Sequence, residues 1–338
     1  MDWIGVGLGV VAGLALFLYG VGRLAHGLRA VAGDRMQAIL ARATTSRVVA
    51  VGAGALATAI LDSSSVTIIL VIALVDAGAL TAARALGVIL GANIGTTLSS
   101  QIIALDAERY APLVLALGLL LATVGRRSAW REIGTALFGM GLVFFGLGQI
   151  GAAVEPLRES GRFAEWMTRL ESPLAGATVG ALATLVIQSS SATLGIAITL
   201  AGQGLLALKG GVAVMLGAEI GTCADTLAAT IGRSREALRA GVFHLAFNIA
   251  TVALGLLCVE PLTALAASLG GDAGRQVANA HVAFNVLGVL LVLPFLGPVT
   301  HGLRRLVPDG DGPVVRAAGE PAFSGALGAT ATAPHDVA

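Results

Sequence analysis

The sequence predicts an all-α polytopic membrane protein made of two inverted-topology repeats, each with a re-entrant helical hairpin, plus one additional C-terminal transmembrane helix. Three observations carry this. The 338 residues are 56% hydrophobic and 12% charged, whereas soluble domains carry about 25% charged residues. A serine triplet, Ser63-Ser64-Ser65, returns as Ser189-Ser190-Ser191 within matching apolar sequence. The segments that precede the two copies differ in charge character, which points to opposite sides of a membrane.

The duplication is read directly. From Gly54 to Thr96, 20 of 43 positions are identical to their mates 126 residues later, without a gap, so the chain contains an internal repeat. Leu16, Gly20 and Gly22 match Leu142, Gly146 and Gly148 at the same offset, which extends the repeat upstream. The expected units are repeat 1 over residues 1–130, inverted repeat 2 over 131–259, an extra transmembrane helix within 260–308, and a disordered tail over 309–338. The tail is rich in Gly, Ala and Pro and has no apolar period.

A helix crosses the hydrocarbon with about 20 apolar residues. Crossings are expected at residues 4–28, 80–105, 111–124, 133–150, 207–231, 240–259 and 277–303, the third of them short. Two further apolar stretches, 48–75 and 174–201, hold the serine triplets at their centres. Each is too long for one ordinary span and too short for two. Loop charge decides between the options. Residues 23–47 hold five Arg and one Asp, while their mates, 151–172, hold three Arg and four Glu. Basic loops favour the cytoplasm. Asp106, Glu108 and Arg109 form an acidic connection, and Arg126, Arg127, Arg131 and Glu132 a basic one. Arg233, Arg235, Glu236 and Arg239 are basic, Glu260, Asp272 and Arg275 acidic, and Arg304 and Arg305 basic. These signs alternate only if each serine stretch enters and leaves on one side. Arg84 and Lys209, within one residue of matched positions and of like sign, are the exception. Each repeat therefore reads as helix, polar linker, re-entrant hairpin, helix, helix. The start Met1-Asp2-Trp3 lacks the basic region of a signal peptide, so the first apolar run is expected to remain as a helix. The implied location is the cytoplasmic (inner) membrane, multi-pass, of a bacterium, with the C-terminus cytoplasmic.

The serine triplets carry the chemistry. Non-helical backbone at membrane depth is tolerated only where protein buries it or water reaches it. A broken helix exposes N–H groups at one new end, which attract anions, and carbonyls at the other, which attract small cations. Hydroxyls donate and accept, so a triplet serves either an anion oxygen or a cation. The competing reading, hydroxyls bonded back to the i−4 carbonyl within a helix, suits single serines better than a repeated triplet. A net charge of +1 argues against nucleic acid as a partner. Cys223 and Cys258 form neither a disulfide framework nor a metal-site spacing.

Several segments resemble a known family. Gln188-Ser189-Ser190-Ser191-Ala192-Thr193 is similar to the QSSS signature of the sodium-dependent phosphate cotransporters, the type II symporters and their bacterial relatives. Leu90-Gly91-Ala92-Asn93-Ile94-Gly95-Thr96-Thr97 resembles the family's LGANIGTT motif. His244–Asn248 and His281–Asn285 resemble its HxxFN motifs. The resemblance covers about residues 4–303. It implies inverted repeats, paired hairpins near the midplane, and sodium-driven symport of inorganic phosphate, with sodium as the coupling ion, no other cofactor, no structural metal and no catalytic residue. The implied substrate- and sodium-binding residues are Asp62, Ser63, Ser64, Ser65, Thr67, Asn93 and Thr96, with Gln188, Ser189, Ser190, Ser191, Thr193, Glu219 and Thr222. Thr97, Cys223, Asp225, Asn248 and Asn285 form an outer group of candidates. The partners are phosphate, sodium and the lipid bilayer, with a homodimer left open. Many bacterial members carry a C-terminal PhoU-like helical domain, and none is expected here.

Three departures stand out. Asp62 replaces the family's Gln, Glu219 replaces an Asn like Asn93, and Cys223 stands opposite Thr97. Each repeat thus holds one acid and one amide, Asp62 with Asn93 and Glu219 with Gln188. A charge at mid-bilayer costs about 2.5–3.5 kcal/mol on insertion scales and usually faces a cavity. The two acids either strengthen cation coupling or shift the substrate away from phosphate. His244 and His281, one turn before an Asn, suit a cavity lining or an interhelical hydrogen bond. Asp225 suits a cavity-facing position, Asp76 the membrane interface, and Arg23 and Arg29 a topology signal. The alternatives are a proton- or sodium-coupled transporter of a different small anion, and a non-transporting scaffold in phosphate signalling. A serine hydrolase is disfavoured, because there is no G-x-S-x-G elbow and no His near either triplet in sequence.

Overall fold

The repeat predicted above is visible in the glycines. A Cβ added at Gly54 would lie 2.1 Å from the Val88 carbonyl oxygen, and one at its mate Gly180 would lie 2.0 Å from the Val214 oxygen. Gly91 and Gly217 repeat the pattern, at 1.9 Å from the Val51 oxygen and 1.8 Å from that of Ala177. Val51 and Ala177 are mates as well. Small residues let helices approach to backbone contact, the packing mode favoured in lipid. The same helix-on-helix joint is therefore built twice.

The computed structural model describes residues 3–42, 46–105 and 107–309. Residues to Pro308 form one unit, and the tail expected over 309–338 lies outside the described residues beyond Asp309. Repeat 1 contains α1 (Trp3–Arg42), α2 (Arg47–Leu61), α3 (Ser64–Asp76), α4 (Ala82–Ile103) and α5 (Ala111–Val124). Repeat 2 contains α6 (Ser128–Val154), a short α7 (Gly161–Arg169), α8 (Pro173–Ile187), α9 (Ser190–Gly202), α10 (Leu208–Gly221), α11 (Cys223–Ala228) and α12 (Arg235–Leu257). Then come α13 (Val259–Ser268), α14 (Ala273–Val292) and α15 (Leu296–Leu306). Among the described residues, six helical segments are long and apolar enough to cross a membrane: Trp3–Val31, Ala82–Ile103, Ser128–Glu159, Leu208–Ala228, Arg235–Leu257 and Ala273–Leu306.

Six of the seven expected crossings match these segments; the seventh, at 111–124, is α5, which at 14 residues is not among them. Three further details of the helices lie outside the expectations. The polar linker after the first crossing is helical, because α1 runs unbroken to Arg42. Its residues from Arg29 to Leu40 are mostly Ala, Arg, Met, Gln and Leu with no proline, a strongly helix-forming composition that charge does not interrupt. The crossing at 207–231 is interrupted at Thr222, between α10 and α11. The crossing at 277–303 breaks into a 3₁₀ turn at Leu293–Phe295 before α15. Pro294 lacks an N–H and cannot continue the helical ladder.

α1 and α6, which are mates, pack against each other antiparallel. A Cβ at Gly13 would meet the Gly146 oxygen at 2.7 Å, one at Gly20 the Gly139 oxygen at 2.8 Å, and one at Gly27 the Glu132 oxygen at 2.6 Å. Contacts move down α6 as they move up α1. Gly13 and Gly139 are mates, as are Gly20 and Gly146, so the joint is self-complementary in the manner of a two-fold interface. Phe17, fully buried, packs with Ile103, Leu147, Ala192 and Val277 in a core that draws on both repeats.

Two polar ties secure the ends. Arg239 on α12 is buried and donates to the Val307 carbonyl from Nε (3.0 Å) and Nη2 (2.9 Å), and it pairs with Glu236. Asp76, the last residue of α3, accepts the Ser234 N–H at 2.7 Å and lies 3.5 Å from Arg233. This joins the first hairpin to the start of α12. Asp76→Ala is expected to lower stability by about 1.5–3 kcal/mol, the scale of a hydrogen bond to a charged group. Thermal unfolding in detergent measures it, and an unchanged midpoint would show that the tie carries no stability.

Candidate functional site

The two serine stretches are broken helices. α2 ends at Asp62 (φ 53°, ψ 31°) and α8 ends at Gln188 (φ 61°, ψ 27°). Among the described residues these are the only non-glycine residues with positive φ. Left-handed backbone costs an L-residue roughly 1–2 kcal/mol, and such strain persists where the surroundings enforce it, often at functional sites. The next residue in each case caps a new helix. The Ser63 hydroxyl accepts the Val66 N–H at 3.2 Å, and the Ser189 hydroxyl accepts the Ala192 N–H at 3.1 Å. Both are N-caps, a role serine fills well. Across each break the paired threonines bond, Thr58 to Thr67 at 2.9 Å and Thr184 to Thr193 at 2.9 Å. Sequence symmetry has become geometric symmetry, down to a hydroxyl pair.

Each tip therefore presents the carbonyl end of one helix and the N–H end of the next. Among the described residues the hydroxyls of Ser64, Ser65, Ser190 and Ser191 make no hydrogen bond. Ser63, Ser65, Ser189, Ser190 and Ser191 are half-buried and Gln188 is exposed. Thr67 and Thr193, by contrast, are spent on the hairpin itself: each also donates back to its cap residue's carbonyl. Thr96, Thr97 and Thr222 donate to carbonyls of their own helices, as does the Asn93 amide.

Asp62 does not bond Asn93. It accepts the Ser99 hydroxyl of α4 and lies within electrostatic reach of Arg29 on α1. The mate of Ser99 is Asp225 on α11, and the mate of Asp62 is Gln188. The acid at this locus has thus changed helices between repeats. Repeat 1 carries it on the tip, with a neutral partner on α4. Repeat 2 carries a neutral tip, with the acid on α11. Asp225 is half-buried. Sequence reasoning missed Ser99, although the fixed offset applied to Asp225 points straight to it.

Glu219 does not bond Gln188 either. Its Oε1 lies 2.7 Å from His281 Nε2 and accepts from Asn285 Nδ2 at 3.2 Å, both on α14. His281 Nδ1 lies 2.8 Å from Ser100 Oγ on α4, so this ring links the two repeats. Its counterpart on α12 makes the corresponding contact: His244 Nδ1 lies 2.8 Å from Thr226 Oγ1, and Thr226 is the mate of Ser100. The additional helix α14 therefore meets repeat 1 as α12 meets repeat 2. Ser100 Oγ lies equally close, 2.8 Å, to the Thr97 carbonyl. Turned to His281 Nδ1, its single proton leaves Nε2–H to donate to an ionised Glu219. Turned to Thr97, it requires the proton on Nδ1 and a further proton between Nε2 and Oε1.

Comparison with known proteins follows the same lines. A model of the Na+/Pi-cotransporter family matches residues 16–152 and 157–299. The chain is 29% identical to the uncharacterised protein YqeW of Bacillus subtilis (strain 168), over 87% of this chain and 96% of that one. It is 26% identical to YjbB of Escherichia coli (strain K12), proposed there as an inorganic phosphate export protein, over 89% of this chain and 56% of the relative. It is 30% identical to the sodium-dependent phosphate transport protein 2A of Mus musculus, over 43% of this chain and 23% of the relative. The chain thus spans just over half of the E. coli protein and under a quarter of the mouse one. No solved structure matches it significantly.

Proposed function

Because this chain belongs to the Na+/Pi-cotransporter family, we propose that it is a secondary active transporter coupling sodium to the movement of inorganic phosphate, with both held between the two serine-bearing hairpins. The observation that carries the reading is the pair of matched broken-helix tips. Each offers uncommitted hydroxyls, helix N–H groups for an anion and helix carbonyls for a cation. The antiparallel packing of the mates α1 and α6 supports inverted repeats, and the tips then become re-entrant hairpins entering from opposite faces. Such repeats are the usual basis of alternating access. Asp62 places a carboxyl at the first tip, and Asp225, the mate of its partner Ser99, is the corresponding acid of repeat 2; such a pair suits sodium bound beside a phosphate dianion. The protein would sit in a bacterial inner membrane with its C-terminus cytoplasmic and no chemical conversion of its substrate.

The direction of net flux has a second reading. The name of the E. coli relative favours export rather than uptake, and a symporter reverses when its gradients reverse. Radiolabelled phosphate flux in proteoliposomes, with sodium and pH gradients imposed separately and in both directions, tests the proposal. Flux driven by sodium is expected; flux indifferent to sodium, or none, overturns it. Cysteines placed in 151–172 should label from the side opposite those in 23–47, and same-side labelling would exclude the inverted arrangement.

Neutralising a tip acid separates coupling from packing. Asp62→Asn and Asp225→Asn are each expected to raise the sodium concentration for half-maximal flux more than about tenfold, equivalent to 1.4 kcal/mol of lost ion binding. Sodium titration of transport checks this, and an unchanged half-saturation would remove both acids from the ion path.

A further inference from the structure

We propose that α15, with Arg47, Arg84 and Arg235 around it, is a docking surface for anionic phospholipid headgroups. The surface is separate from the serine tips and independent of whether they carry phosphate.

α14 alone supplies the 20 residues needed to cross the hydrocarbon. After the break at Leu293–Phe295 the chain stays on the molecule. Leu296 and Leu303 of α15 are buried in a core shared with Ala82 of α4 and Ala237 of α12. Polar contacts hold both ends. Arg47, at the start of α2, donates to the Pro294 carbonyl at 3.5 Å, and Arg239 donates twice to that of Val307. α15 is thus a strap fixed beside the first turns of α2, α4 and α12.

The solvent side of this strap is basic. Arg304 and Arg305 are exposed in its last turn, and Arg47, Arg84 and Arg235 are exposed in the first turns of the three helices beside it. Among the described residues the side chains of Arg84, Arg235, Arg304 and Arg305 make no hydrogen bond or ion pair. The nearby acids are engaged: Glu236 with Arg239, Asp76 with Arg233 and Ser234, and Asp309 is not free either. The opposite end, where Gly274 of α14 meets Gly202 of α9, differs. There Lys209 pairs with Glu260, Arg169 pairs with Glu165, and Arg158 donates to the Gln203 carbonyl.

Apolar side chains flank the free charges. Phe295 is 57% exposed and Leu306 is 70% exposed. Arginines with apolar side chains beside them suit a helix lying among lipid headgroups, where a basic cluster selects anionic lipids. Loop charge assigns this end to the cytoplasmic side, whose leaflet carries the negative surface potential.

The test uses the full chain purified in detergent. Its unfolding temperature is titrated with dioleoylphosphatidylglycerol, with dioleoylphosphatidylcholine and with inorganic phosphate. A saturable rise is expected with phosphatidylglycerol and none with phosphatidylcholine. In Arg304→Gln/Arg305→Gln the phosphatidylglycerol midpoint is expected to rise more than about tenfold. Arg84→Gln/Arg235→Gln, on two other helices, should act in the same direction. A midpoint is read rather than a temperature, so a loosened strap does not mimic the effect. Arg126→Gln/Arg127→Gln, an exposed pair in the α5–α6 connection, should keep the wild-type midpoint. The proposal is overturned if phosphatidylglycerol does nothing or acts no better than phosphatidylcholine. It is equally overturned if either pair at the strap keeps the wild-type midpoint, or if the Arg126/Arg127 pair moves it as far. A rise with inorganic phosphate that is lost in Arg304→Gln/Arg305→Gln would also overturn it, since the surface would then take a free anion. Absence of phosphate flux in proteoliposomes would leave a positive result standing.

Discussion

Gly217→Ala is expected to destabilise the protein by more than about 3 kcal/mol, beyond the ordinary cost of overpacking a core. The new Cβ would sit 1.8 Å from the Ala177 carbonyl oxygen, and the obstacle is backbone, which cannot rotate aside. α8 and α10 would have to separate along their whole joint. Gly91→Ala should act similarly on α2 and α4, where the distance is 1.9 Å to the Val51 oxygen. Gly52 is the control, since nothing lies within 4 Å of an added Cβ there. Alanine at that helical position should be neutral or stabilising by up to about 1 kcal/mol. Thermal unfolding and size-exclusion profiles in detergent would measure all three. A Gly217→Ala protein with a wild-type midpoint would mean that the two helices are not in backbone contact.

The second large effect concerns flux. Ser63→Ala/Ser189→Ala removes both tip N-caps, at about 0.5–2 kcal/mol each, and also the O–H donor that each cap hydroxyl keeps after accepting its N–H. Phosphate flux is expected to fall more than about tenfold. Stability loss alone could mimic this, so Ser63→Asn/Ser189→Asn is the discriminating variant. Asparagine caps a helix as well as serine does, yet it lacks the hydroxyl and is larger. That protein should unfold near the wild-type temperature and still transport poorly. Near-normal flux from the double alanine variant would reduce these serines to structural caps.

Local chemistry was the legible part of this molecule. The breaks at Asp62 and Gln188 follow from serine's preference for helix N-caps and from the repeated triplet. The helices follow from apolar length, and the duplication from a constant offset. That the polar linker continues α1 to Arg42 follows from the helix-forming residues that dominate it between Arg29 and Leu40. The kink before α15 was legible in principle, since Pro294 stands in the expected span.

Partner choice was not legible. Asp62 and Asn93, and Glu219 and Gln188, are the acid–amide pairs that sequence adjacency within each repeat brings to mind. In the folded chain Asp62 meets Ser99, while Glu219 meets His281 and Asn285 from the helix after the second repeat. That α14 stands to repeat 1 as α12 stands to repeat 2 is likewise visible only once Ser100 and Thr226 are seen holding equivalent histidines. Caps, breaks and apolar runs depend on neighbours within a turn or two, so a sequence specifies them nearly alone. Which polar side chain satisfies another depends on helices brought together by glycine joints tens of residues apart, and only the packed chain decides that.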